Sequence, residues 1–276
     1  MAGRIAAGRG LAITYKMQVQ QPTKTFCNFM QKRLAKNTAV LTAGILVPSV
    51  QQASAATPTK KYAVEKVSYS KNYKLDDGTT YFSVKGKFPT IKDDSKEAEK
   101  MNTALMKEKN RIIKSWKKQA AEVKQDYIDE VNAGYSSDVA FGDEIQCKIT
   151  ANNEKYFSVI LSGYTYLGGA HGTPYRSCLT FDAKTGEKLT AAKLFGISKK
   201  QLNNKIHKLY LAKFDKNNPN DGFYPVTRKE FKEDIKNMNF NTDFYVKDNG
   251  KAVFYADPYA LGPYAAGFIQ VSATIK

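Results

Sequence analysis

The chain has two histidines, and only His171 lies in a setting that suggests chemistry. It sits in the loop Gly168-Gly169-Ala170-His171-Gly172, where the glycines would let a ligand come close to the ring or to the backbone amides. Such a histidine can serve as a general base or as a contact residue. The competing and stronger reading is that Gly168, Gly169 and Gly172 turn the chain while His171 bonds a neighbouring backbone group or a Tyr hydroxyl. No second histidine, cysteine or carboxylate stands at ligand spacing from it, so the sequence points to no metal and no cofactor. Ser158, Ser162 and Ser177 lack a nucleophile-elbow context, and Asp257 is an isolated acid before Pro258, so no catalytic residue is assigned. His207, between Ile206 and Leu209, reads as a core or surface residue of a helix.

A second candidate is aromatic. Tyr255, Tyr259 and Tyr264 fall within ten residues together with Pro258 and Pro263. Tyr combines a large contact area with a small entropy cost, and Pro stiffens a loop, so this segment fits a binding edge. The alternative is a turn shaped by the prolines over tyrosines packed beneath it. The binding candidates are therefore Gly168, Gly169, His171, Tyr259, Pro263 and Tyr264. Cys147 and Cys178 form a candidate disulfide, with buried free thiols as the alternative, because a predicted strand separates them.

These residues need elements to hold them. Tyr62 to Tyr69 and Tyr81 to Pro89 alternate as strands about the turn Asp76-Asp77-Gly78. Asp94 with Glu97 predicts a capped helix whose buried face is Met101, Leu105, Ile112 and Trp116, followed by a helical stretch from Ala120 to Val131 that ends at Gly134. The period then becomes two through Val139, Phe141, Ile145, Cys147 and Ile149, and again through Tyr156 to Tyr166, before Tyr175 to Phe181 returns as a third strand. Ser198 with Gln201 and Thr227 with Glu230 open two more helices. Strands at Phe240 to Val246, Val253 to Tyr255 and Phe268 to Ile275 close the chain. Hairpin strands and separate helical blocks define an α+β class, with antiparallel sheet built from hairpins and packed by three to four helices.

The start of the chain reads as a leader. From Met30, Lys32, Arg33 and Lys36 precede an apolar run, Ala39 to Val47, that is too short for the roughly 20 residues a membrane span requires. Ala53 and Ala55 flank Ser54 as in a signal-peptidase site, which predicts cleavage after Ala55 or Ala56 and a secreted, periplasmic or wall-associated product. Residues 1–29 fit no part of this pattern and read as a misassigned start or an extra leader. Removing residues 1–55 takes away seven basic residues and no acid, so the formal charge falls from +17 to +10. A basic exported domain is drawn to anionic envelope polymers, although lysine-rich surfaces also serve solubility alone. Export and the lack of a phosphate loop or nucleic-acid motif exclude nucleic acid as a partner. No later segment is apolar enough to span a membrane.

Three segments in order carry a family resemblance: the Tyr-rich strand with Gly168-Gly169-Ala170-His171-Gly172; Phe181 to Leu189 with Leu194-Phe195; and Asp257 to Gly267. Together they resemble the extracytoplasmic domain of unknown function in RsiV-type lysozyme-sensing anti-sigma factors and the accessory region of PdaC-type peptidoglycan deacetylases. Val67 to Trp116 resembles the half that usually precedes it. This divides the exported part into an N-terminal α+β half, 62–134, and a C-terminal α+β domain, 135–276, with the His171 loop. The resemblance implies a module that recognises a protein, lysozyme-like, or peptidoglycan. The alternative is a cell-wall hydrolase, or a deacetylase-associated activity, using His171. The sequence carries neither a sigma-binding segment with a membrane helix nor a deacetylase catalytic domain, so signalling and deacetylation do not transfer.

Overall fold

The structure is a computed structural model that describes residues 61–134, 140–216 and 222–275. The predicted leader, Val139 and residues 217–221 lie outside the described residues. β1 (Val64–Lys74) and β2 (Thr80–Ile91) form the expected hairpin, and Gly78 supplies the positive φ of its turn. β2 continues past its predicted end through Pro89, which pairs only with β1 because β3 has already left its other side at Gly86. A proline in a strand is tolerated on such an open edge.

α1 (Lys96–Glu122) buries the predicted face, Met101, Leu105, Ile112 and Trp116. Its cap is Ser95 rather than Asp94: the Ser95 hydroxyl accepts from the Ala98 amide at 3.3 Å, while Asp93 accepts from the Ser95 amide at 2.9 Å. Asp93 thus closes a turn with its own side chain, and the helix starts one residue later. After a break at Val123, α2 (Lys124–Asn132) runs on and ends before Gly134.

β3 (Phe141–Asn152), β4 (Tyr156–Tyr166) and β5 (Thr173–Asp182) complete a five-stranded sheet in the order β1-β2-β3-β4-β5. One pairing departs from the antiparallel expectation, because β2 and β3 run parallel from Phe82–Phe141 to Gly86–Ile145. The helical crossover of α1 and α2 returns the chain to the end where β2 began, which makes a parallel neighbour possible. The sheet therefore spans the boundary at 134/135, with two strands before it and three after.

α3 (Ala191–Phe195), not predicted, is capped by the Thr190 hydroxyl. α4 (Lys199–Asp215) and α5 (Arg228–Asp234) carry both predicted capping boxes. β6 (Phe244–Val246), β7 (Lys251–Ala256) and β8 (Ile269–Thr274) form a three-stranded antiparallel sheet. β6 is shorter than predicted, since Phe240 is used as a core ring stacked on Tyr210 at 5.5 Å.

Four layers result. α1 covers one face of the large sheet around Trp116, α4 and α5 cover the small sheet around Phe254, and the two sheets meet through Ile160, Tyr245, Val253 and Tyr255. Cys147 faces α1 and Cys178 faces the small sheet: their cross-strand partners, Leu161 and Ile160, are consecutive on β4 and point to opposite faces. Both thiols are free, so the candidate disulfide does not form. Burial pushes Cys147 up to about 11 and Cys178 up to about 12, which makes them poor nucleophiles.

Trp116 stacks on Tyr69 at 5.9 Å and leans on Phe88 at 6.1 Å, over a gap that Gly86 leaves open. Trp116→Ala should cost about 3–5 kcal/mol in urea unfolding; a loss below about 1 kcal/mol would contradict its role as the anchor of this layer.

Candidate functional site

Two loops meet where the sequence places its candidates. The first joins β4 to β5, and there Gly168 and Gly169 adopt φ of +86° and +76°, conformations that L side chains rarely take. The second joins β7 to β8 and carries the short 3₁₀ turn Tyr264–Ala266. The His171 ring lies flat on Tyr264, with centroids 3.8 Å apart and planes 18° from parallel. Tyr259 tilts against Tyr264 at 5.8 Å.

The imidazole is held from both nitrogens. The Gly172 carbonyl, 3.1 Å from Nδ1, can only accept, so Nδ1 carries the proton. In the neutral ring Nε2 is then the acceptor for the Tyr259 hydroxyl at 3.3 Å. Further tyrosines frame the loop: the Gly172 amide donates to the Tyr164 hydroxyl at 2.7 Å, and the Tyr166 hydroxyl donates to the Gly169 carbonyl at 3.1 Å. Partial desolvation, and then a hydrogen bond with Tyr164, raise the Tyr264 phenol above its ordinary range. Tyr259 sits at φ +67°, the sole described non-glycine with positive φ, and the residue is 49% exposed. A left-handed tyrosine costs about 1–2 kcal/mol, so the surroundings hold it there.

The structure thus brings together His171, Tyr259 and Tyr264, and places Gly168, Gly169 and Pro263 in the two loops that carry them. It adds Tyr164 and Tyr166, which the sequence marks only as the end of a strand. Glu130 at the end of α2 is a further addition, since its carboxylate fills the space a Cβ on Gly168 would need. No local pattern points to Glu130, because the contact crosses from helix to loop.

The serines do not join this group. Ser177 donates to Glu108 at 2.6 Å on the α1 side of the large sheet, and Ser158 is buried where the two sheets meet, donating nothing towards His171. His207 is half-buried with its ring edge on Phe240 at 5.5 Å, and desolvation lowers its pKa. Among the described residues there is no group of three or more His, Cys, Asp or Glu side chains that could hold a metal.

Beneath the loop, Asp143 of β3 fixes the base of the β4–β5 hairpin. Its buried carboxylate accepts from the Thr165 hydroxyl and, at 2.7 Å, from the Tyr175 hydroxyl. Gly163 has no Cβ because the Tyr175 ring occupies that space. Burial raises the Asp143 carboxyl, and the donor groups of Thr165, Tyr175 and Trp116 oppose the shift without cancelling it.

With these loops described, the comparisons with known proteins fall into place. Residues 75–173 match the family model described as deacetylase PdaC. Residues 189–275 match the model described as a protein of unknown function, DUF3298. His171 lies in the first matched segment, and Tyr259 and Tyr264 lie in the second. The fold is that of a DUF3298-family protein from Bacteroides fragilis, with a TM-score of 0.54 and 15% identity over 79% of this chain and 92% of that one. A DUF3298-family protein from Pseudomonas aeruginosa aligns with a TM-score of 0.49 and 13% identity over 78% of this chain and 90% of that one. None of the curated proteins matches the chain.

Because burial raises it above the ordinary carboxyl range, Asp143 binds its proton more tightly in the native state. Its contribution is most favourable at low pH and declines as pH rises through the folded pKa. Asp143→Asn should therefore flatten the fall of stability from about pH 4 upward. Denaturation curves across pH check this, and equal slopes for both proteins would contradict it.

Proposed function

We propose that the chain is an exported recognition module of the cell envelope with no reaction of its own, and that its His171–Tyr264 face holds a protein partner of the lysozyme class. The observation that carries this reading is the use of His171. Both ring nitrogens are engaged and the ring is stacked, with a tyrosine rather than a nucleophile at Nε2. A general base works through a hydrogen bond to the nucleophile or water it deprotonates; here the partner is the phenol of a partly exposed tyrosine, and the serines Ser158 and Ser177 bond elsewhere.

Charge separates a protein partner from an anionic wall polymer. Residues 164–175 and 255–267 contain no Lys or Arg, in a chain with 43 of them. The carboxylates there are Glu130, against Gly168, and Asp257, exposed two residues before Tyr259. Desolvation and then Asp243 raise the Asp257 carboxyl, with Arg176 opposing. An aromatic face with local negative charge suits a basic protein surface and repels anionic polymers. Peptidoglycan is the second reading, favoured by the exposed rings of Tyr164 and Tyr259, which offer stacking faces for sugars. The leader pattern read in residues 30–55, with Lys32, Arg33 and Lys36 ahead of an apolar run and Ala53 and Ala55 about Ser54, supports a location outside the cytoplasm.

Binding of the purified protein to lysozyme and to purified cell wall tests this. Lysozyme should be retained, less so as salt rises, and Tyr259→Gly should weaken retention at least tenfold while keeping the melting temperature, because glycine suits φ +67°. Retention on wall alone would replace the first reading with the second, and retention on neither would remove both. Turnover of wall material that is lost in His171→Ala would overturn the non-catalytic reading.

A further inference from the structure

A second surface lies on the outer edge of the small sheet. β8 is the last strand of the order β6-β7-β8, so β7 occupies one side and, among the described residues, no strand occupies the other. The direction of its backbone groups follows from the register. Ile275 donates to Gly250 across the ladder at 3.0 Å, and Ala252 pairs with Ala273. In an antiparallel ladder alternate residues turn their N–H and C=O to opposite sides. Ser272 and Thr274 therefore present theirs outward, away from β7.

α4 runs beside this edge and turns it into a groove. The cleft has a volume of about 790 Å³ and is lined by Asn204, Lys205, Lys208 and Leu209 from the helix and by Ser272 and Thr274 from the strand. Asn204 and Lys208 are four residues apart with Lys205 between them, so they share one helix face. Both lysines are exposed and neither has a carboxylate partner among the described residues; the Lys205 ammonium instead sits over Phe195 at 5.2 Å. An open strand edge walled by a helix offers main-chain hydrogen bonds on one side and a selective side-chain surface on the other. The two lysines give that surface a positive sign.

We propose that this groove binds an extended acidic segment of a partner protein, which adds to β8 as a further strand with its carboxylates against Lys205 and Lys208. The groove is formed by α4 and β8, separate from the His171–Tyr264 face, and the proposal does not depend on the function assigned to that face. Isolated edge strands invite pairing with other chains, and lysines beside an edge also serve to discourage it. The two roles predict opposite results with the same probe.

The probe is a fluorescent octapeptide alternating Val and Glu, compared with its Val/Lys counterpart and with a Val/Glu version N-methylated on alternate amides. The purified protein should bind the acidic peptide, slow amide exchange at Ser272 and Thr274, and bind the other two at least tenfold more weakly. Lys205→Glu with Lys208→Glu should reverse the preference between the acidic and basic peptides, with circular dichroism unchanged because both side chains are exposed. Absence of binding, equal binding of the N-methylated peptide, or protection away from residues 272–274 would overturn the proposal and leave the lysines as guards of the edge. If the double variant fails to fold, amide protection in the unmodified protein alone decides the matter.

Discussion

The candidate site exists because the two sheets are locked together by a buried hydroxyl. Ser158 of β4 accepts the Val246 amide of β6 at 3.0 Å and shares a hydrogen bond of 2.9 Å with Thr180 of β5. Val246 closes a strand of three residues, and that amide would otherwise be buried unpaired, at a cost of about 1–3 kcal/mol. Around this pin, Asp248 accepts the Asn152 amide at 3.0 Å, and Arg176 lays its guanidinium on Phe268 at 3.7 Å. These contacts fix the small sheet against the back of β4 and β5. The loop after β7 is thereby carried to the loop after β4, and Tyr264 reaches His171.

This arrangement explains how a site made of two unlike family segments can be rigid. His171 lies in the segment that matches the PdaC model and Tyr259 and Tyr264 in the segment that matches the DUF3298 model, so neither segment makes the surface alone. Asp143 holds the loop end of the β4–β5 hairpin through Thr165 and Tyr175, and the Ser158 pin ties the far end of the same hairpin to β6. The surface presents aromatic rings already fixed in place, which lowers the entropy cost of binding. Neither loop, at 164–175 or 255–267, carries a Lys or Arg, in contrast to the basic chain as a whole.

Much of the fold was legible because local signals and burial agreed. The helix face of Met101, Leu105, Ile112 and Trp116, both capping boxes and the turn at Gly78 follow from spacing and turn chemistry. What was not legible depends on contacts distant in sequence. The parallel pairing of β2 with β3 follows from a crossover, the start at Ser95 from competition among three adjacent capping residues, and the shortness of β6 from Phe240 being taken up by Tyr210. The same holds within the site: His171 and Tyr259 stood out by type and neighbours, whereas Glu130, Tyr164 and Asp143 belong to it through tertiary contact.

The central claim is that recognition occurs on the composite face formed by these two loops. Hydrogen exchange of the protein with and without saturating lysozyme tests it most directly. The account predicts slowed exchange confined to residues 164–172 and 255–267. Protection that falls elsewhere, or no change on either loop, would contradict it.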